Sequence, residues 1–166
     1  MQAVTADVQS KMIPKKTKMK LYKDLITPVV VYGSECWVLT ENIKQKLLLF
    51  ERKILRRIFG PTKKENGEWR LKANEELEEA INNENIVIYI KYKRLSWFGH
   101  VERMTNERVA KTKYKWKPYA TRPKGRPRVR WEDDLRKMGV TNWKQRTQER
   151  KQWKEITEQD KTHKEL

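Results

Sequence analysis

The 166-residue chain has a single cysteine, Cys36, so no intrachain disulfide can form and a disulfide-built secreted scaffold is excluded. That cysteine and two distant histidines, His100 and His163, cannot assemble a structural zinc site. The six glycines stand apart from one another, which excludes a glycine-rich phosphate loop. Apolar side chains are scarce at 37%, against roughly 45–50% in globular averages, so any core is small. The longest apolar run is PVVVY at 28–32. A membrane-spanning helix needs roughly 18 such residues or more. No charged-then-apolar leader stands at the N-terminus, and the expectation is a soluble, intracellular chain.

Positive charge and tryptophan are what the chain has in excess. Its formal net charge is +17. Charge so far from zero opposes compaction by self-repulsion and favours a polyanionic partner. Seven tryptophans argue against disorder, because disordered chains are poor in aromatics. From Lys111 to Arg130 nine side chains are basic, none is acidic, and three prolines interrupt the run. This stretch reads as extended and solvated. It meets Trp131 and then Glu132, Asp133 and Asp134 in the first turn of a helix, where carboxylates are favoured.

Elsewhere helical periodicity dominates. Met19, Tyr22, Leu25 and Ile26 share a face, and Pro28 is expected to bend or end that helix. VVVYGSECWVL is rich in strand formers, so a short strand near 28–38 competes with a buried helix after the proline. Thr40 precedes a helix carrying Ile43, Leu47, Phe50, Ile54 and Ile58, ended by Gly60 and Pro61. Asn74 is expected to cap the acidic helix EELEEAI. Asn85 is expected to cap a helix reaching Met104, with Ile86, Ile90, Trp97, Val101 and Met104 as its apolar stripe. The two long helices are expected to pack together. Gly99 weakens its helix by about 1 kcal/mol, which points to close packing against a neighbour. A helix from Trp131 ends at Gly139. A last one, from Thr141 or Asn142 to Gln159, has only Trp143, Trp153 and Ile156 as anchors and is expected to dock weakly. The fold class is mainly α: a small helical bundle, an extended basic segment and a peripheral C-terminal helix.

Glu132, Asp133 and Asp134 invite a two-metal reading, but adjacent helical residues diverge by about 100° each and rarely converge on one ion. No metal or cofactor is therefore expected. His100 and Glu102 near Trp97 read more simply as packing and hydrogen-bonding residues, and Ser34 and Cys36 have no His–Asp pair evident beside them. The basic run carries more. Lys111, Lys113, Lys115, Lys117, Arg122, Lys124, Arg126, Arg128 and Arg130 can neutralise phosphates. Trp116 and Tyr119 offer ring faces to unpaired bases. KGRPR at 124–128 resembles the core of an AT-hook, with lysine where arginine is usual.

Four blocks taken together carry a wider resemblance. They are TKMKLYKDLITPVVVYGSECWVLT (17–40), FERKILRRIFG (50–60), RLSWFGHVERM (94–104) and GRPRVRWEDDL (125–135). In this order they resemble the C-terminal region of reverse transcriptases of non-LTR retrotransposons, the long interspersed elements of animal genomes. The resemblance runs from about residue 17 to residue 156. It implies a thumb and post-thumb region that grips RNA template and primer duplex, in a parent RNA-directed DNA polymerase with an endonuclease. The parent's Y-x-D-D catalytic pair has no counterpart here, because Asp133 and Asp134 follow Trp131 and Glu132 in the later block. No cysteine/histidine knuckle is present. The organisation read from this is an irregular N-terminus (1–15), a thumb-like helical domain (16–104), a basic extended segment (105–130) and C-terminal helices (131–166). Met1 would open a truncated or independent reading frame. The expected function is binding of RNA and/or DNA backbone without catalysis of its own, off membranes, in a nuclear or cytoplasmic ribonucleoprotein. The competing readings are an AT-hook-like DNA-binding protein and a metal-dependent nuclease or polymerase subunit using Asp133, Asp134 and His100.

Overall fold

The computed structural model describes residues 12–116 and 131–159. Over these residues the protein is mainly helical, with one two-stranded ribbon. None of the described helices is long and apolar enough to cross a membrane. The chain forms two compact units, Met1–Gly33 with Glu41–Val87, and Ser34–Thr40 with Ile88–Leu166.

In the first unit, α1 (Lys15–Leu21) passes through a π-helical turn (Tyr22–Ile26) into α2 (Thr27–Val30). The helix does not stop at Pro28. Widening just before the proline lets Thr27 donate its N–H to the Tyr22 carbonyl, and the Thr27 hydroxyl donates to the same oxygen at 3.0 Å. Such a turn absorbs a residue without an N–H. The strand considered for 28–38 is replaced by α2, a turn at Gly33 (φ +68°) and a 3-10 turn at Ser34–Cys36.

The long helix α3 (Glu41–Phe59) ends as its sequence suggests: Gly60 takes φ +70° and donates its N–H to the Arg56 carbonyl at 3.0 Å. Only its C-terminal half is core. Ile54, Leu55 and Ile58 are buried with Tyr22, Leu77 and Ile81, and Phe50 packs on this cluster. Ile43 is 38% exposed. The ribbon pairs β1 (Thr62–Lys63) antiparallel with β2 (Trp69–Arg70).

The acidic helix α4 (Asn74–Ala80) begins one residue earlier than its expected cap allows. Ala73 precedes it and donates its N–H to the Glu76 carboxylate at 3.1 Å, while Asn74 Oδ1 accepts from Arg56 at 2.7 Å. The start of α5 (Ile86–Arg103) is held from a distance. Both oxygens of the buried Glu51, on α3, accept the Ile86 N–H at 3.1 and 3.0 Å, and the Tyr22 hydroxyl donates to Glu51 at 2.8 Å. Burial raises the Glu51 carboxyl above its ordinary range, against the opposing pull of its bonds from Ile86 and Tyr22. Burial, and then the Glu51 charge, push the Tyr22 phenol up.

The second unit gathers the rest of α5 with α6 (Val109–Lys115), α7 (Trp131–Lys137), α8 (Trp143–Arg146) and α9 (Arg150–Gln159). Its centre is Phe98, whose ring lies 5.2–5.9 Å from those of Tyr114, Trp131, Trp143 and Trp153. Leu95 and Leu135 complete the buried cluster. The core face of α5 thus centres on Phe98, and Trp97, expected in the stripe, stands at its margin. Gly99 does allow close packing: a Cβ there would lie 2.1 Å from Trp153 Nε1. That indole N–H donates to the Leu95 carbonyl at 3.0 Å.

Gly139 (φ +66°) closes α7, donating to the Arg136 carbonyl while Val140 donates to that of Leu135, both at 3.1 Å. The single last helix expected from 142 to 159 is two. The chain breaks at the buried Thr147, whose hydroxyl donates to the Lys144 carbonyl at 2.8 Å and whose carbonyl accepts from Arg103 at 2.6 Å. Nor is α9 weakly docked, for Trp153 is only 3% exposed. One indole buries enough apolar surface to hold a short helix.

Candidate nucleic-acid interface

Three of the four sequence blocks meet around Arg94. Its side chain is 2% exposed; Nε and Nη2 donate to Asp134 Oδ2 at 3.2 and 3.0 Å, and Nη1 donates to the Trp37 carbonyl. Beside it, Trp131 Nε1 donates to the Glu35 carbonyl at 3.1 Å. The YGSECW, RLSWFGH and RWEDDL blocks are therefore joined by side chains that satisfy loop carbonyls. The Glu35 and Trp37 carbonyls thus find donors without a neighbouring strand. Arg94 was not singled out in the sequence. The available signal was its position, four residues after Ile90 and four before Phe98, on the helix's apolar face.

The carboxylates of α7 point to different partners. Glu132 accepts from the Tyr114 hydroxyl at 2.6 Å, Asp133 faces Arg136 at 3.4 Å, and Asp134 belongs to Arg94. Among the described residues no three His, Cys, Asp or Glu side chains are grouped to hold a metal ion. The His100 ring lies 5.0 Å from that of Trp97. Ser34 is buried and Cys36 exposed.

The basic run begins as helix, not as extended chain, through Lys115 in α6. Lys111 is buried and its ammonium donates to the Glu102 carbonyl. Lys113 is exposed; Lys115 is exposed and donates to Asn106 Oδ1 at 2.7 Å. Trp116 is 59% exposed. Lys117, Tyr119, Arg122, Lys124, Arg126, Arg128 and Arg130 lie outside the described residues. The flanks of 117–130 are tied together. The Tyr114 ring stacks on that of Trp131 at 5.9 Å and an interplanar angle of 30°, and its hydroxyl reaches Glu132. Of the carboxylates that follow the basic run, Glu132 thus joins its two flanks.

No family model matches the chain, and no solved structure matches it. The curated proteins supply a transposon-derived relative, which supports a transposon origin for this chain. It is the Caenorhabditis elegans protein F52C9.6, whose name describes it as transposon-derived and uncharacterized. The two are 26% identical over 159 residues. That match covers 90% of this chain and 57% of the relative, so the chain spans little more than half of the relative's length.

Proposed function

We propose that the chain is the nucleic-acid-gripping C-terminal region of a non-LTR retrotransposon reverse transcriptase, with no catalysis of its own. The observation that carries this reading is the anchored basic run. Six basic and no acidic side chains lie between residues 117 and 130, and its flanks are fastened by Tyr114, Trp131 and Glu132. Tying the ends lowers the ordering cost of binding, so phosphate contacts by Lys117, Arg122, Lys124, Arg126, Arg128 and Arg130 act as a group. Lys113 and Lys115 extend the surface, and Trp116 and Tyr119 are its stacking candidates. Lys111 is buried and its ammonium is held by the Glu102 carbonyl. RNA, DNA or their hybrid is the partner, in a nuclear or cytoplasmic ribonucleoprotein.

The transposon-derived relative and the four sequence blocks support this origin. The distinct partners of Asp133 and Asp134 weigh against the nuclease reading. The test is fluorescence anisotropy on labelled RNA, DNA duplex and RNA–DNA hybrid across a salt series, with primer extension and strand cleavage in Mg²⁺ alongside. Salt-sensitive binding without Mg²⁺-dependent turnover supports the proposal. Turnover that vanishes in Asp133→Ala contradicts it.

A further inference from the structure

One helix face outside the basic run has the chemistry of a stacking surface. Tyr89, Lys93, Ser96, Trp97 and His100 fall on one side of α5, opposite Phe98, because steps of three and four residues keep them within one face. Lys93, Ser96 and His100 are exposed, and Tyr89 and Trp97 are half-buried. A solvent face of a helix is ordinarily charged and polar. This one carries three rings and a single lysine instead. The Lys93 ammonium stands 6.0 Å above the Tyr89 ring centre, and the Trp97 and His100 rings are 5.0 Å apart. From Ile86 to Val101 the helix has no acidic residue.

We infer that this face is a second nucleic-acid contact, which takes unpaired bases on Trp97 and His100 while Lys93, one turn before Trp97, meets a neighbouring phosphate. Stacking is tolerant of base identity because every base has a π-face, and rings beside a cation are the chemistry that single strands use. A duplex keeps its base faces internal and gains only the lysine contact. The inference goes beyond the function proposed above, because it concerns a surface that does not involve residues 117–130.

The test is anisotropy with fluorescein-labelled oligothymidylate, oligouridylate and a mixed-sequence duplex, on the full chain. Trp97→Leu, which keeps apolar bulk at the margin of the core, should weaken both single strands about 5- to 140-fold and leave the duplex unchanged. Lys93→Ala should flatten the single-strand salt dependence by about 0.7. His100→Ala should also weaken single strands. Trp97→Phe, checked by thermal unfolding, should retain most of the affinity, which separates loss of the ring from loss of the fold. Equal DNA and RNA effects would assign the face to any single strand; an effect on one alone would assign it to that one. Unchanged single-strand affinity in Trp97→Leu, Lys93→Ala and His100→Ala would overturn the inference, as would an equal loss on duplex. If these variants bind normally while substitutions in 117–130 abolish binding, the proposed function stands and this second contact falls.

Discussion

The ring of Tyr114 stacks on that of Trp131 while its hydroxyl reaches Glu132 at 2.6 Å, so residues on either side of the basic connection are held together. Tyr114→Phe keeps the stacking and removes the hydrogen bond. The loss in stability is expected to be about 0.5–1.5 kcal/mol by urea unfolding, because a single bond is deleted. Trp131→Ala should cost more, about 3–5 kcal/mol, as it empties part of the Phe98 cluster and frees the Glu35 carbonyl. Equal and negligible effects would show that the flanks are not tied through these residues.

Gly99 has no room for a methyl group. Gly99→Ala gains about 1 kcal/mol of helix propensity. Against this, its Cβ would overlap the Trp153 indole, which is buried and bonded to Leu95. The overlap is expected to prevail, with a net loss of about 1–3 kcal/mol by thermal unfolding. A stabilised variant would mean that α9 moves aside freely.

Arg94 and Asp134 form a pair in which the arginine is buried and the carboxylate is one-fifth exposed at 19%. Arg94→Met leaves Asp134 and the Trp37 carbonyl without this donor and should cost about 3–5 kcal/mol. Arg94→Met with Asp134→Leu should recover part of that loss, because no unpaired charge remains. Simple addition of the two single effects in a double-mutant cycle would refute the coupling.

Glu51 gives the first unit a dependence on pH. Its folded pKa is raised, so the folded state holds the proton more tightly than the unfolded chain does. Its stability contribution is therefore greatest below the unfolded value, about 4.3, and declines as pH rises through the folded value. Glu51→Gln stays neutral and can retain an acceptor for Tyr22 or Ile86. Urea unfolding of both proteins at several pH values should show the variant gaining on the wild type as pH rises through that window. The opposite trend would mean that the bonds from Ile86 and Tyr22 outweigh burial.

Local signals were legible in the sequence where one residue acts on its own neighbours. Gly60 and Gly139 end helices because they supply positive φ at helix ends, and Gly99 announced a close contact. The divergence of Glu132, Asp133 and Asp134 follows from helical geometry alone. What remained hidden depends on contacts distant in the chain. The strand-like propensity of 28–38 lost to a proline-adjusted helix and to carbonyls claimed by Arg94 and Trp131, which no local pattern encodes. Glu51 caps a helix that starts 35 residues later, and its place within α3 gave no hint of that. The start of the basic run is helical because Tyr114 and Lys111 have partners in their own unit, which charge and proline content concealed.

The most direct test of nucleic-acid binding by the basic run is the salt dependence of affinity for a DNA duplex, in wild type and in Arg126→Ala/Arg128→Ala. With about six phosphate contacts, log K against log salt should fall with a slope of about −5 for the wild type, and the double variant should flatten it by roughly two units on every sequence. A selective loss on A·T-rich duplex would instead identify a minor-groove hook at 124–128. A wild-type slope near zero, unchanged in the variant, would contradict nucleic-acid binding by this run.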